Sequence, residues 1–136
     1  MKKIIILLIL SLFMVTGCSY NEVESKMISV KEVNDIVENF ENVEDTFIID
    51  VRELNEYEEG HLINSINIPL SVIGSISDVP EINKDSKIIV YCRSGNRSKS
   101  AQARLNSLGY TEVYDMGGIL DWPYDVVQSF DVEEED

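Results

Sequence analysis

Cations are scarce in this sequence: 11 Lys and Arg stand against 25 Asp and Glu, for a formal net charge of −14. So acidic a chain argues against nucleic acid as a partner, because phosphates reward Lys and Arg. It argues equally against adhesion to anionic lipid through a basic face. Histidine and tryptophan occur once each and cysteine twice, and neither a metal nor a cofactor is expected. Internal repeats and low-complexity tracts are lacking. The 136 residues allow one domain and a small accessory segment. At 44% hydrophobic residues, the chain can bury a core and is not a disordered acidic polymer.

A long apolar run is also missing. The longest, Ile4 to Val15, has twelve residues, short of the ~20 that span a bilayer but within the range of a signal peptide. Lys2 and Lys3 precede it as a basic start. It ends in Val15-Thr16-Gly17-Cys18, which resembles a bacterial lipobox. That resemblance implies loss of residues 1–17 and lipidation of Cys18, where two acyl chains anchor stably and one binds only marginally. Residues 18–25 then read as the lipidated Cys and a polar tether, "SYNEVES". The expected location is the cell envelope, with the domain outside the cytoplasm and held to a bacterial membrane through Cys18. Cys92 is left without an intramolecular partner, although that compartment permits disulfides.

Residues 26–127 read as a single α/β domain, and residues 128–136 as a solvated acidic tail. Ser29 with Glu32 three positions on is a capping box, and Val30, Val33, Ile36, Val37 and Phe40 follow at helical spacing. "TFIIDV" (46–51), "SINIPL" (65–70), "KIIVYC" (87–92) and "EVYDM" (112–116) read as short strands, the last ended by Gly117-Gly118. A short acidic helix before Gly60 and a longer one over residues 98–108, with Ala101, Leu105 and Leu108 inward, alternate with them. Residues 71–83 predict one or two helical turns broken at Pro80. This alternation predicts a small, mostly parallel sheet with helices on both faces.

Against the acidic background, "YCRSGNRS" (91–98) holds two of the chain's four arginines within five residues of a cysteine. Cys92 ends a buried strand, where sites of open parallel sheets lie. The loop can turn backbone N–H groups inward beside a helix N-terminus, and Gly95 permits the backbone this needs. With Arg93 and Arg97, that arrangement favours thiolate over thiol, giving a nucleophile that needs no neighbouring base. An isolated cysteine would read as core packing; packing does not call for two arginines beside it.

"CRSGNRS" resembles the active-site loop of rhodanese-family sulfurtransferases. Further segments agree in order along the chain: Asp50-Val51-Arg52, Glu56-Tyr57 and Gly60-His61; Asn67-Ile68-Pro69; and Gly117, Gly118 and Trp122. The resemblance runs from about Ser29 to Trp122. One departure is Asn64-Ser65, where the family has Gly-Ala; Asn tolerates a left-handed backbone, so the turn should survive. The resemblance implies a rhodanese-like fold and a double displacement. Cys92 takes the outer sulfur of an anionic donor such as thiosulfate and passes it, as a persulfide, to a thiol or cyanide-like acceptor.

Arg93, Ser94, Gly95, Asn96, Arg97 and Ser98 are the expected substrate-binding loop. The two arginines are expected to bind a sulfonate in forked fashion, and Ser98 to cap the following helix. Lys99 reads as a solvated charge. Asp50 and Arg52 are expected braces of the site; by the resemblance, the acid helps hold the loop arginine. His61 is expected in a structural hydrogen bond and Trp122 as a core anchor. The protein is expected to be a monomer.

Two other readings stand beside this one. A cysteine phosphatase places five residues between Cys and Arg, whereas four separate Cys92 from Arg97, a ring better suited to one sulfur atom. A non-catalytic or redox-sensing binding module at the cell surface would keep the fold without needing the thiol.

Overall fold

In the computed structural model, residues 24–129 are described. The leader, Cys18 and most of the acidic tail lie outside them. The chain runs β1 (Lys26–Met27), α1 (Val30–Glu38), β2 (Thr46–Asp50), α2 (Leu54–Glu59), β3 (Ser65–Asn67), β4 (Lys87–Cys92), α3 (Asn96–Ser107) and β5 (Val113–Gly118). Short 3-10 segments follow α1, β3 and β5, the longest at Leu70–Asp78.

The five strands form one sheet in the order β1-β5-β4-β2-β3, with every pairing parallel. β4 sits at its centre because "KIIVYC" is buried at every position but its first; a strand covered on both faces has no polar side to show. Side chains alternate across the sheet. Ile88, Val90 and Cys92 face a core with Ala101 and Leu105 of α3 and with Ile73 and Ile76 of the long 3-10 segment. Ile89 and Tyr91 face the opposite core, with Val33 of α1, Leu62, Met116 and Trp122. Helical segments thus cover both faces, as the α/β alternation requires.

Several local expectations hold for stated reasons. Ser29 caps α1, and the Ser29–Glu32 box closes in both directions. Asn64 takes a φ of 63°, the left-handed turn that replaces a glycine. Trp122 is buried, with its indole N–H donating to the Asp125 carbonyl.

Two expectations fail. Leu108 is 47% exposed, because α3 ends at Ser107 and Gly109 turns the chain away at a φ of 94°. Gly117 and Gly118 do not end the last strand; they are its final two residues, paired with Tyr91 and Cys92. Met116 is the extra residue of a bulge there, which redirects the strand end toward β4.

Candidate active site

β2 and β4 are neighbours, with Asp50 opposite Tyr91, so Asp50 and Cys92 emerge at the same end of the sheet. Cys92 is 1% exposed. Beyond it the loop reverses at Gly95, whose φ of 106° is open to few other residues, and α3 begins at Asn96. The reversal points the Gly95 N–H at Cys92 Sγ, 3.0 Å away, and brings the Ser98 hydroxyl to 3.6 Å from the same sulfur.

This geometry decides the thiol's acidity. Burial pushes the Cys92 thiol up, but hydrogen bonds from the Ser98 backbone and hydroxyl and from the Gly95 and Ser94 N–H groups outweigh it. The net result is a thiol more acidic than usual. Main-chain amides and one hydroxyl lead the stabilisation, as the expected inward-turned N–H groups require, and Arg97 also interacts with the Cys92 charge. Such a site can hold a thiolate, and the same donors face any anion formed on its sulfur.

The arginines behave differently from expectation and from each other. Arg97 is held fork-to-fork by Glu56: Nη1 donates to Oε2 at 2.6 Å and Nη2 to Oε1 at 2.8 Å. Arg93 is exposed, and its side chain makes no hydrogen bond among the described residues. A symmetrical clamp of two free guanidiniums is therefore not what the loop presents. Ser94, Asn96 and Lys99 are exposed around the loop.

Ser98 is not the helix cap. Gly95 occupies that position, and Ser98 lies in the first turn. Its hydroxyl donates to the Gly95 carbonyl at 3.0 Å and accepts from the neutral Cys92 thiol at 3.6 Å. When the thiol ionises, the single hydroxyl proton turns to the sulfur. α3 starts two residues earlier than the sequence pattern suggests because the left-handed Gly95 turns the chain at once.

Asp50 and Arg52 brace each other rather than the loop arginine. Both are buried, and the Arg52 guanidinium donates Nη2 to Asp50 Oδ2 at 2.7 Å and to the Gly60 carbonyl at 2.6 Å. Arg52 thus ties Asp50 of β2 to the end of α2, and Arg97 is left to Glu56. His61 Nδ1 lies 2.7 Å from the Tyr57 carbonyl and its ring stacks on Tyr57, a structural place in the same corner. Among the described residues, no group of His, Cys, Asp and Glu could hold a metal ion.

Two residues that complete the site, Glu56 and Gly118, carry the resemblance in the sequence but have no expected role there. Glu56 is one of four acids from Glu53 to Glu59; apart from its place in the Glu56-Tyr57 motif, it is marked by its spacing of three from Glu53, whose N–H it accepts at 3.0 Å. Gly118 was read as a chain break, yet it packs directly beneath the loop, where an added Cβ would stand 2.7 Å from Ser94 Cα. The Leu120 N–H, just past β5, donates to the Arg93 carbonyl at 3.2 Å and fixes the loop from the same side.

The model of the family described as "Rhodanese-like domain" matches residues 29–123. A sulfurtransferase of Allochromatium vinosum is 32% identical over 104 residues, covering 75% of this chain and 87% of its own. The thiosulfate sulfurtransferase PspE of Escherichia coli is 36% identical over 73 residues, 54% of this chain and 70% of that one. A solved E. coli rhodanese with anions superposes with a TM-score of 0.56 at 35% identity, covering 62% of this chain and 99% of that chain. Other relatives are longer: the chain spans 22% of an adenylyltransferase and sulfurtransferase and 27% of a tRNA uridine(34) hydroxylase. With its parallel sheet, the loop at the end of β4 and a family match across the folded region, the chain belongs to the rhodanese-like domain family, in which its relatives include sulfurtransferases.

Proposed function

We propose that the protein moves a sulfane sulfur from a thiosulfate-like anionic donor to a thiophilic acceptor through a persulfide on Cys92. The observation that carries this reading is the Gly95 N–H, 3.0 Å from Cys92 Sγ, at the head of a loop that makes the thiol more acidic. The likeness to PspE, whose name includes thiosulfate, supports the choice of donor.

The Cys92 thiolate attacks the outer sulfur of the donor. A Cys92 Sγ–S bond forms, the sulfur–sulfur bond of the donor breaks, and its electron pair leaves with sulfite. The persulfide anion takes the place of the thiolate before the amide donors, which offset its negative charge without reorganising. An acceptor thiolate or cyanide then attacks the outer sulfur. Its bond to that sulfur forms, the Sγ–S bond breaks, and the thiolate returns. Arg93, the uncommitted cation of the loop, steers the donor anion. Ser94, Gly95, Asn96 and Ser98 shape the ring around it, while Asp50 and Arg52 hold the neighbouring corner. The protein acts as a monomer and needs no cofactor for these steps.

The basic start, the apolar run and Cys18 support a place in the cell envelope, lipid-anchored outside the cytoplasm. Metabolic labelling with a radioactive fatty acid, lost in Cys18→Ala, tests that placement. For the reaction, the purified chain is incubated with thiosulfate, and intact mass is followed for one added sulfur before transfer to cyanide is measured. Cys92→Ala loses both. A wild type that neither gains nor transfers sulfur overturns the reading.

A further inference from the structure

The two arginines of the loop are unequal, and the inequality is built by α2. The Glu56 carboxylate, which engages both terminal nitrogens of Arg97, is itself pinned: Oε2 also accepts the Glu53 N–H at 3.0 Å. It closes a capping box at the start of α2 and is not a loose surface acid that swings with its partner. The charges of Cys92 and Glu53 also act on Arg97, so its guanidinium is within electrostatic reach of the sulfur. A guanidinium held fork-to-fork has its best donors committed, and beyond the pair its charge is partly offset by the carboxylate. An arriving donor therefore meets the amide ring and Arg93, with Arg97 withheld.

The charge of the donor decides how much that matters. One unit charge acts on a dianion twice as strongly as on a monoanion. Thiosulfate is a dianion, whereas an organic thiosulfonate carries the same transferable outer sulfur with a single charge. We propose that Glu56 is a specificity-determining residue: by holding Arg97 it tilts the site from dianionic donors toward monoanionic ones. This rests on the reading that Cys92 takes sulfur from an anionic donor. With a thiosulfonate, the thiolate attacks the outer sulfur, the sulfur–sulfur bond breaks and the electron pair leaves with a sulfinate. Charge and atoms balance as they do for thiosulfate and sulfite.

The test compares kcat/KM for thiosulfate and for benzenethiosulfonate, with cyanide as acceptor and ionic strength fixed. It uses the full chain and the variants Glu56→Gln, Arg97→Gln and the two combined. The ratio of the two donors cancels changes in active fraction and in thiol nucleophilicity, which a merely structural role would move. Glu56→Gln raises the thiosulfate-to-thiosulfonate ratio about three- to tenfold, the effect of one uncovered charge near the sulfur. Arg97→Gln lowers it by a similar factor, and the double variant returns to within about twofold of wild type, the pairing expected of coupled residues.

Glu56→Asp keeps the charge and so keeps the wild-type ratio even where its rates fall. If Glu56→Gln is too damaged to assay, the fall in Arg97→Gln against the constant ratio in Glu56→Asp decides the matter. An unchanged ratio in Glu56→Gln, or in Arg97→Gln, overturns the proposal while leaving sulfur transfer intact. A wild type that takes sulfur from neither donor overturns the underlying reading and this proposal with it.

Discussion

Gly118 carries the loop at Ser94: a Cβ on Gly118 would stand 2.7 Å from Ser94 Cα and 2.9 Å from the Arg93 carbonyl carbon. Neither of those is a side-chain end that can step aside. The last residue of β5 and the first turn beyond Cys92 are therefore one packed unit, and the loop's trace depends on a strand that contributes no reacting group.

Gly118→Ala should accordingly spare the fold and damage the site. Persulfide formation falls on the order of 10²-fold, the scale of a misplaced reacting group, while circular dichroism stays that of the wild type. Gly74→Ala, where an added Cβ meets nothing within 4 Å, is the matched control and stays near wild-type rate. A Gly118→Ala protein with more than half of wild-type rate would show that the loop tolerates displacement.

Ser98→Ala tests the source of the thiol's acidity. The hydroxyl is one of the groups that hold the Cys92 thiol below its ordinary range, with the Gly95 and Ser94 amides remaining when it is removed. The rate of persulfide formation follows the thiolate fraction, so the acid limb of its pH profile moves to higher pH. At pH 7 the loss is about tenfold at most, the worth of one hydrogen bond to a charged group. At pH values above the ordinary thiol range of about 8.5 the two proteins converge. A loss that is constant across pH would instead mark Ser98 as a positioning group.

The pair of Glu56 and Arg97 makes a prediction about stability as well. Hydrogen bonds from Arg97 hold the Glu56 carboxyl at about 2, against an opposing push from burial and with help from the Glu53 N–H. A carboxyl depressed in the folded state stabilises it fully above the unfolded value near 4.5, and that stabilisation is lost as pH falls toward 2. Glu56→Gln should therefore be less stable than wild type by about 1 kcal/mol at pH 6, solvent screening of this partly exposed pair included. The gap narrows steadily below pH 4.5. Urea unfolding at pH 6 and pH 3 measures it, and an equal gap at both would refute the assignment.

The buried pair behaves in the opposite way. Asp50 is fully buried and Arg52 nearly so, so removing one partner strands a charge away from water. Asp50→Asn should cost about 3–5 kcal/mol in urea unfolding. Asp50→Asn combined with Arg52→Met should cost less than Asp50→Asn alone. A double variant worse than the single one would show that the Arg52 bond to the Gly60 carbonyl, and not the ion pair, holds this corner.

What could be read from the residues divides along a physical line. "KIIVYC" is short, β-branched and without a polar face, so it reads as a buried central strand, and its alternation is enough to predict two cores. The loop stands out because its cations contrast with an acidic chain. Gly118 was misread because a glycine's local meaning is permissive; that it serves a close approach depends on Ser94 across the fold. Glu56 has a place in a motif but no legible role, because a carboxylate with three acidic neighbours acquires one only when the distant Arg97 arrives beside it. Ser98 stands where a cap is expected, and only the left-handed turn at Gly95 brings the helix start to Asn96, two residues before it. Leu108 satisfied the helical period but fell where the helix had already ended.

The inward-facing amides of the loop have a consequence for how this protein can change. Donors that belong to the main chain are present whatever side chains the loop carries, as long as Gly95 and Gly118 preserve its path. If Cys92 transfers sulfur as proposed, reactivity is thereby uncoupled from side-chain identity at positions 93, 94 and 96, and substitutions there should change donor preference more than the acidity of the thiol.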